Sequence, residues 1–123
     1  MKSKELFRKN VPGTTEILQK ACIGIAGCGG LGSNAAVALV RAGVGKLILS
    51  DFDVVEESNL NRQYFFQADI GKYKVEALAH HLKSINLASV NHFQWVEYLT
   101  SKIKKLIINC FNIKVNQREN IFM

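Results

Sequence analysis

The chain has 123 residues, 48% of them hydrophobic and 21% charged, with one proline and three cysteines. That length holds one ordinary domain, and the composition excludes a disordered tail, a collagen-like repeat and a disulfide scaffold. The net charge of +6 sits in the flanks: residues 1–20 carry five basic and two acidic groups, residues 91–123 again five and two, and residues 21–90 six of each. A neutral centre between basic ends is not the one-faced stripe that neutralises a phosphate backbone, so nucleic acid is not expected as a partner.

No apolar run approaches the ~20 residues that cross a bilayer, and the start, Met1-Lys2-Ser3-Lys4-Glu5-Leu6, lacks the apolar stretch of a secretory signal. The expectation is a soluble cytoplasmic protein with no membrane contact. Cys22, Cys28 and Cys110 form no Cys-x-x-Cys pair and have no histidine at ligand spacing, so they point to neither a disulfide framework nor a zinc site. Cys22 and Cys28 are expected simply to pack.

In chain order, residues 1–20 read as a polar lead-in arm with the Pro12-Gly13 pair, followed by Thr14 and Thr15, either of which could cap a short helix to about Lys20. Cys22 to Ala26 is a short apolar run, as expected of a strand buried on both faces. It ends in Gly27-Cys28-Gly29-Gly30-Leu31-Gly32. Ser33 to Ala42 is rich in helix formers and is closed by Gly43. Lys46 to Ser50 reads as a second buried strand, stopping at Asp51. Strand, glycine turn, helix and strand make a βαβ unit.

Phe52 to Asp69 has no clean period and is dense in hydrogen-bonding side chains, the signature of a functional loop. Val75, Leu78, Ala79, Leu82 and Ile85 then space as one face of a helix from about Lys72 to Asn86. Val90 to Val96 reads as a third strand. Leu99 to Cys110 carries one more helical stripe, Phe111 to Val115 could form a short strand, and residues 116–123 show no pattern.

Gly27-x-Gly29-x-x-Gly32, placed after a strand and before a helix, with Asp51 ending the next strand, reads as a nucleotide-binding turn. The first glycine permits the turn, the second lets backbone approach phosphates, and the third allows close packing of helix on strand. The helix N-terminus offers free N–H groups to an anion, and Asp51 is placed to accept hydrogen bonds from ribose hydroxyls. A nicotinamide-dependent oxidoreductase would use the same features, but it gives no reason for the run Ser58-Asn59-Leu60-Asn61-Arg62-Gln63.

That run, with the glycine turn, Asp51-Phe52-Asp53-Val54-Val55-Glu56-Glu57 and Ile70-Gly71-Lys72-Tyr73-Lys74, resembles the ThiF/MoeB/HesA group of adenylyltransferases, relatives of the ubiquitin-activating enzymes. The resemblance covers about Asn10 to Asn86. The spellings Asn10-Val11-Pro12-Gly13-Thr14 and Val54-Val55-Glu56 resemble most the thiamine-pathway branch, which activates the sulfur carrier ThiS. The resemblance implies ATP and Mg²⁺ as cofactors, a ThiS-like ubiquitin-fold carrier as partner, and a homodimer. It implies that Gly27, Gly29, Gly30 and Gly32 shape the ATP pocket and that Asp51 holds the ribose. It also implies that Asn59, Arg62 and Gln63 line the triphosphate, and that Arg62 and Lys74 act on the reacting phosphate. The residues alone leave blander readings: Arg62 paired with Glu56 or Glu57, Lys74 solvated in a first helical turn, Asn59 as a cap.

The family continues into a fourth strand that ends in a metal-binding aspartate. This chain has no aspartate after Asp69, and Lys114 falls at an expected interior position. The expectation is therefore an α/β, Rossmann-like three-layer fragment with a mainly parallel sheet, strand order 3-2-1, keeping the N-terminal nucleotide-binding half of a C-terminally truncated member. Its segments are an arm (1–20), a partial ATP-binding domain (21–110) and an unmatched tail (111–123). Without a fourth strand, Cys22 to Ala26 would be an apolar sheet edge open to pairing. A catalytically inactive remnant that only binds ATP is the alternative function.

Overall fold

The computed structural model describes residues 5–86 in full, and residues 90–94 and 120–122 by their backbone. In chain order the elements are helix α1 (Thr14–Lys20), strand β1 (Cys22–Ala26), helix α2 (Gly30–Ala42) and strand β2 (Lys46–Asp51). Helix α3 (Lys74–Ile85), strand β3 (Val90–Gln94) and strand β4 (Asn120–Phe122) follow, after a loop holding two short 3₁₀ turns, Glu57–Asn59 and Gln67–Asp69.

The strands form one sheet in the order β3-β2-β1-β4, and every neighbouring pair is parallel. Parallel neighbours require a crossover, which α2 supplies between β1 and β2 and α3 between β2 and β3. Period-two alternation turns Ile23, Ile25, Leu47 and Leu49 to one face. There they join Val40 and Val44 from α2 and its exit, and Val75, Leu78 and Leu82 from α3, in one buried cluster. Each such aliphatic side chain contributes ~1.5–3 kcal/mol by leaving water. Cys22 and Ile48, of opposite parity, are buried as well, as expected of strands covered on both sides. The Leu99–Cys110 stripe and the Phe111–Val115 segment lie outside the described residues, as do Trp95 and Val96.

The fold is thus the α/β, Rossmann-like parallel sheet that the sequence implies, with two corrections. The patternless tail supplies β4, which runs beside β1 from Cys22↔Asn120 to Gly24↔Phe122, so the first half of β1 is not an open edge. A strand of three residues is too short to show alternation, so no periodicity marks it. The second concerns α1. Its cap position is Gly13, with φ 87° and no side-chain cap, whereas Thr15 Oγ1 accepts a hydrogen bond from Asn10 Nδ2 at 3.1 Å.

Helix α2 ends as expected, on Gly43 at φ 111°, whose N–H donates to the Leu39 and Val40 carbonyls. Phe7 packs over this glycine, and a β-carbon there would come within 3.2 Å of its ring. Asn10 Nδ2 also donates to the Ala42 carbonyl at 2.8 Å. The arm is therefore fixed to the end of α2.

At Gly45 the entry to β2 passes the exit of α1 so closely that an added β-carbon would lie 1.8 Å from the Gln19 carbonyl oxygen. Backbone cannot yield as a side chain would. Gly45→Ala is expected to cost about 3 kcal/mol or more, read as a lowered thermal midpoint; an unchanged midpoint would contradict this packing.

Candidate functional site

The site is built where β1 turns into α2. Gly27, at φ 105°, reverses the chain and donates its N–H to the Ser50 carbonyl at 2.7 Å. Only glycine adopts that backbone readily. Gly32 faces back onto the turn, and a β-carbon there would sit 1.8 Å from the Gly27 carbonyl oxygen. Gly29 and Gly30 are different: their nearest neighbours in the β-carbon direction are Gln63 Nε2 at 3.9 Å and Arg62 Cγ at 3.8 Å. Two glycines thus shape the turn and two leave it approachable. The first turn of α2 holds no acidic residue, so its unpaired N–H groups and partial positive charge are open to an anion.

Asp51 braces this turn from β2. It is buried, and its carboxylate accepts the Cys28 N–H at 2.6 Å on Oδ2 and the Asp53 N–H at 2.7 Å on Oδ1. Cys28 lies fully buried behind it. Burial and the Asp51 charge push the Cys28 thiol up to about 12, against opposing pulls from the Ser50 backbone and the Lys74 charge. Cys22 and Cys28 are free, buried thiols; they pack, as expected.

Lys74 opens α3. Its side chain is only 8% exposed, and its Nζ stands 3.8 Å from Asp53 Oδ2, a carboxylate that is itself 55% exposed. It is not the solvated lysine of the bland reading. An ammonium carries three donors, and a carboxylate beyond hydrogen-bond length leaves them capacity for another anion.

The loop from Val54 to Tyr73 is closed at its base by a bridge between those two residues, by Val55 N–H donating to the Lys72 carbonyl at 2.8 Å and by Gly71 N–H donating to the Val55 carbonyl at 2.9 Å. Within it, Asn59 Oδ1 accepts the Glu56 N–H at 2.8 Å, the turn-closing role weighed for it, which leaves its amide NH₂ as donor. Arg62 makes no ion pair with Glu56 or Glu57 among the described residues. Its Nη1 donates to the Ser58 carbonyl and Asn61 Oδ1, while its stem lies over Gly30. Gln63 is buried, and its Oε1 has no hydrogen-bond partner among the described residues.

The structure thus gathers Gly27, Gly29, Gly30, Gly32, Asp51, Arg62, Gln63 and Lys74 around one turn, with Asn59 shaping the loop above it. Residues not singled out in the sequence hold that loop in place. Asn34 Nδ2 donates to the Gly30 and Arg62 carbonyls at 2.7 and 2.8 Å, and Ser33 Oγ accepts the Tyr64 N–H at 3.0 Å. Two short polar residues directly after the third glycine were the available signal. Farther out, Asp69 Oδ2 accepts the Phe66 N–H and contacts His81 Nε2 at 2.6 Å.

A glycine turn between parallel strands, with a braced acid at the next strand's end, is the arrangement of a Rossmann-like α/β domain. Residues 5–115 match the ThiF family, and the chain belongs to it. It is 38% identical over 100 residues to the ubiquitin-like modifier-activating enzyme 5 of Rattus norvegicus, covering 72% of this chain and 25% of that protein. Among solved structures, E. coli MccB with ATP superposes with TM-score 0.67 at 25% identity, covering 84% of this chain and 36% of that one. MccB with N-formylated MccA gives 0.69 at 34%, over 76% and 28%. The E. coli tRNA N6-threonylcarbamoyladenosine dehydratase, TcdA, gives 0.73 at 29%, over 85% and 44%. The chain therefore spans about a quarter of that curated relative's length.

Two predictions follow from the titrating groups. With its thiol raised to about 12 and its side chain buried, Cys28 should resist iodoacetamide at about pH 8 in the folded chain and react once urea unfolds it, as mass spectrometry can show; modification of the native chain would contradict the geometry. For Asp69, burial pushes the carboxyl up, but His81, the Phe66 N–H and the Lys72 charge outweigh it and hold the pKa below its usual 3.8. Its contribution to stability is then present above that value and lost as pH falls through the lower folded one. Asp69→Asn should remove ~1–3 kcal/mol at neutral pH and flatten the loss of stability below about pH 4, measured by urea unfolding across pH.

Proposed function

We propose that this chain is the nucleotide half of an ATP-dependent adenylyltransferase that activates the C-terminal glycine carboxylate of a ThiS-like sulfur carrier for thiamine biosynthesis in the cytoplasm. The observation that carries it is the placement of Arg62 and Gln63 directly over the open glycines, with the buried Lys74 close behind. Both reactants are anions, so the reaction depends on positioning and charge neutralisation more than on an acid or base. A carboxylate oxygen of the carrier bonds to the α-phosphorus of ATP. The bond from that phosphorus to the oxygen bridging the β-phosphate breaks, pyrophosphate leaves with the electron pair, and an acyl-adenylate remains.

In this reading the Gly29–Gly30 backbone and the first N–H groups of α2 meet the phosphates. Arg62 offers a planar fork to phosphate oxygens and Lys74 a compact charge, exchanging its long contact with Asp53 for one with phosphate. Asp51 keeps lone pairs for ribose hydroxyls beside the two backbone N–H groups it already holds. Gln63 Oε1 and the Asn59 amide face the nucleotide's polar groups. ATP enters as its Mg²⁺ complex; among the described residues no group of three or more His, Cys, Asp or Glu could hold the metal by itself. Leu31, 91% exposed on the first turn of α2, offers apolar ground on the rim for the carrier or for the second subunit of a homodimer. The thiamine branch rests on the spellings Asn10 to Thr14 and Val54 to Glu56.

Gly30→Ala separates nucleotide binding from folding. Its methyl meets nothing nearer than 3.8 Å and alanine favours a helix by up to ~1 kcal/mol, so the thermal midpoint should hold or rise. ATP affinity should nonetheless fall about tenfold or more, since the methyl occupies the approach to the turn, and Arg62→Ala and Lys74→Ala should each weaken it similarly, at ~1.4 kcal/mol per tenfold. ATP, and not NAD, should raise the midpoint of the parent chain. Stabilisation by NAD alone would replace this reading with the oxidoreductase one, and ATP binding without ATP–pyrophosphate exchange in the presence of a ThiS-like carrier would leave only the inactive remnant.

A further inference from the structure

The segment carrying Arg62 and Gln63 is held at both sides. Toward α2 it is pinned by Asn34 on the Arg62 carbonyl and by Ser33 on the Tyr64 N–H. Toward α3 a single carboxylate oxygen does the work: Asp69 Oδ2 accepts the Phe66 N–H at 2.8 Å and contacts His81 Nε2 at 2.6 Å. Asp69 and His81 are 12 residues apart in sequence, so the contact ties the loop to the helix and not to itself. The side chains are 5% and 17% exposed, which spares the interaction most solvent screening. The Phe66 ring meets the His81 ring edge-on at 5.0 Å, and Tyr64 meets both at 5.5 and 6.1 Å.

The loop is also supported from within, by Phe65 buried in the core with Leu60 and Tyr64 packed against it and by the hydrogen bonds at its base, but its outer side is open. A hollow of about 440 Å³ separates Tyr64 and Phe66 from Arg41, at the end of α2, and from Ser84 and Ile85 on α3. On this outer side the Tyr64 and Phe66 rings are not closely packed, so there the segment relies on the Asp69 tie.

Resting on the ATP-site reading above, we propose that Asp69 and His81 act as a positioning pair, a latch between loop and α3 that holds Arg62 and Gln63 in register with the glycine turn. His81 Nε2–H donates to the carboxylate, and the carboxylate passes the constraint to the Phe66 N–H, four residues after Arg62. Neither residue touches the nucleotide. Opening the latch loosens the far end of the segment while the Ser33 and Asn34 pins and the buried Phe65 stay, so Arg62 is held less tightly from that side. The cost falls on phosphate binding through Arg62, and not on Lys74, which α3 and Asp53 hold.

The test uses the intact chain with His81→Ala, His81→Gln and Lys83→Ala, the last altering an exposed residue of α3 outside the latch. Hydrogen exchange without nucleotide should speed about tenfold or more in peptides covering residues 62–70 of His81→Ala, with β1 and α2 unchanged. His81→Gln, which returns a donor at similar reach, and Lys83→Ala should exchange as the parent does. ATP affinity should fall about fivefold in His81→Ala and recover in His81→Gln. Arg62→Ala should cost much less in the His81→Ala background than in the parent, while Lys74→Ala should cost the same in both. Unchanged exchange in residues 62–70 would overturn the latch, and faster exchange with unchanged ATP affinity, or with an undiminished Arg62→Ala effect, would overturn its positioning role. A parent chain that binds no ATP refutes the site reading instead, and the positioning role with it, while the exchange data still decide whether the tie exists.

Discussion

The Asp51 carboxylate is the contact on which the site depends. One oxygen holds the Cys28 N–H in the glycine turn and the other the Asp53 N–H where the chain leaves β2, so one buried anion joins the first strand–helix turn to the start of the long loop. Hydrogen bonds to a charged group contribute ~1.5–3 kcal/mol each, and a buried partner left without one costs at least as much. Everything beyond follows in order: Asp53 receives the Lys74 N–H on its carbonyl and faces the Lys74 ammonium with its carboxylate, so the turn, the loop base and the start of α3 share one scaffold.

Steric exclusion supplies the second constraint. Gly32 and Gly45 lie where a β-carbon would enter a carbonyl oxygen, one setting α2 against the turn and the other setting β2 beside α1. Gly29 and Gly30 meet no such obstacle. The same residue type thus serves packing at two positions and access at two others, a division that the spacing Gly27-x-Gly29-x-x-Gly32 implies but cannot prove.

The regular elements were legible because each announces itself locally: apolar runs for β1 and β2, helical spacing for α3, Gly43 for the end of α2. What the sequence concealed depends on contacts between distant segments. Asn120–Phe122 has too few residues to show alternation, so its pairing with β1 left no trace. The burial of Lys74 is not visible locally, although the resemblance already marks it for the reacting phosphate, and Asp69 and His81 share no local pattern. Thr14 and Thr15 advertised a cap, yet the left-handed Gly13 took that position because the turn out of the arm needs a positive φ there. The long loop was recognisable by its lack of period and its hydrogen-bonding side chains, but not its conformation, which comes from hydrogen bonds to α2, α3 and its own base.

Residues 5–115 match the ThiF family, and the ATP-site reading proposed for the glycine turn, the loop and Lys74 can be tested on the chain itself. The most direct measurement is an ATP titration followed by backbone amide NMR on the intact chain. The account predicts saturable shifts concentrated at Gly27 to Gly32, Asp51 to Asp53, Asn59 to Gln63 and Lys74, with the arm contacts at Phe7 and Asn10 undisturbed. Saturable shifts centred elsewhere, or none at millimolar ATP, would contradict it.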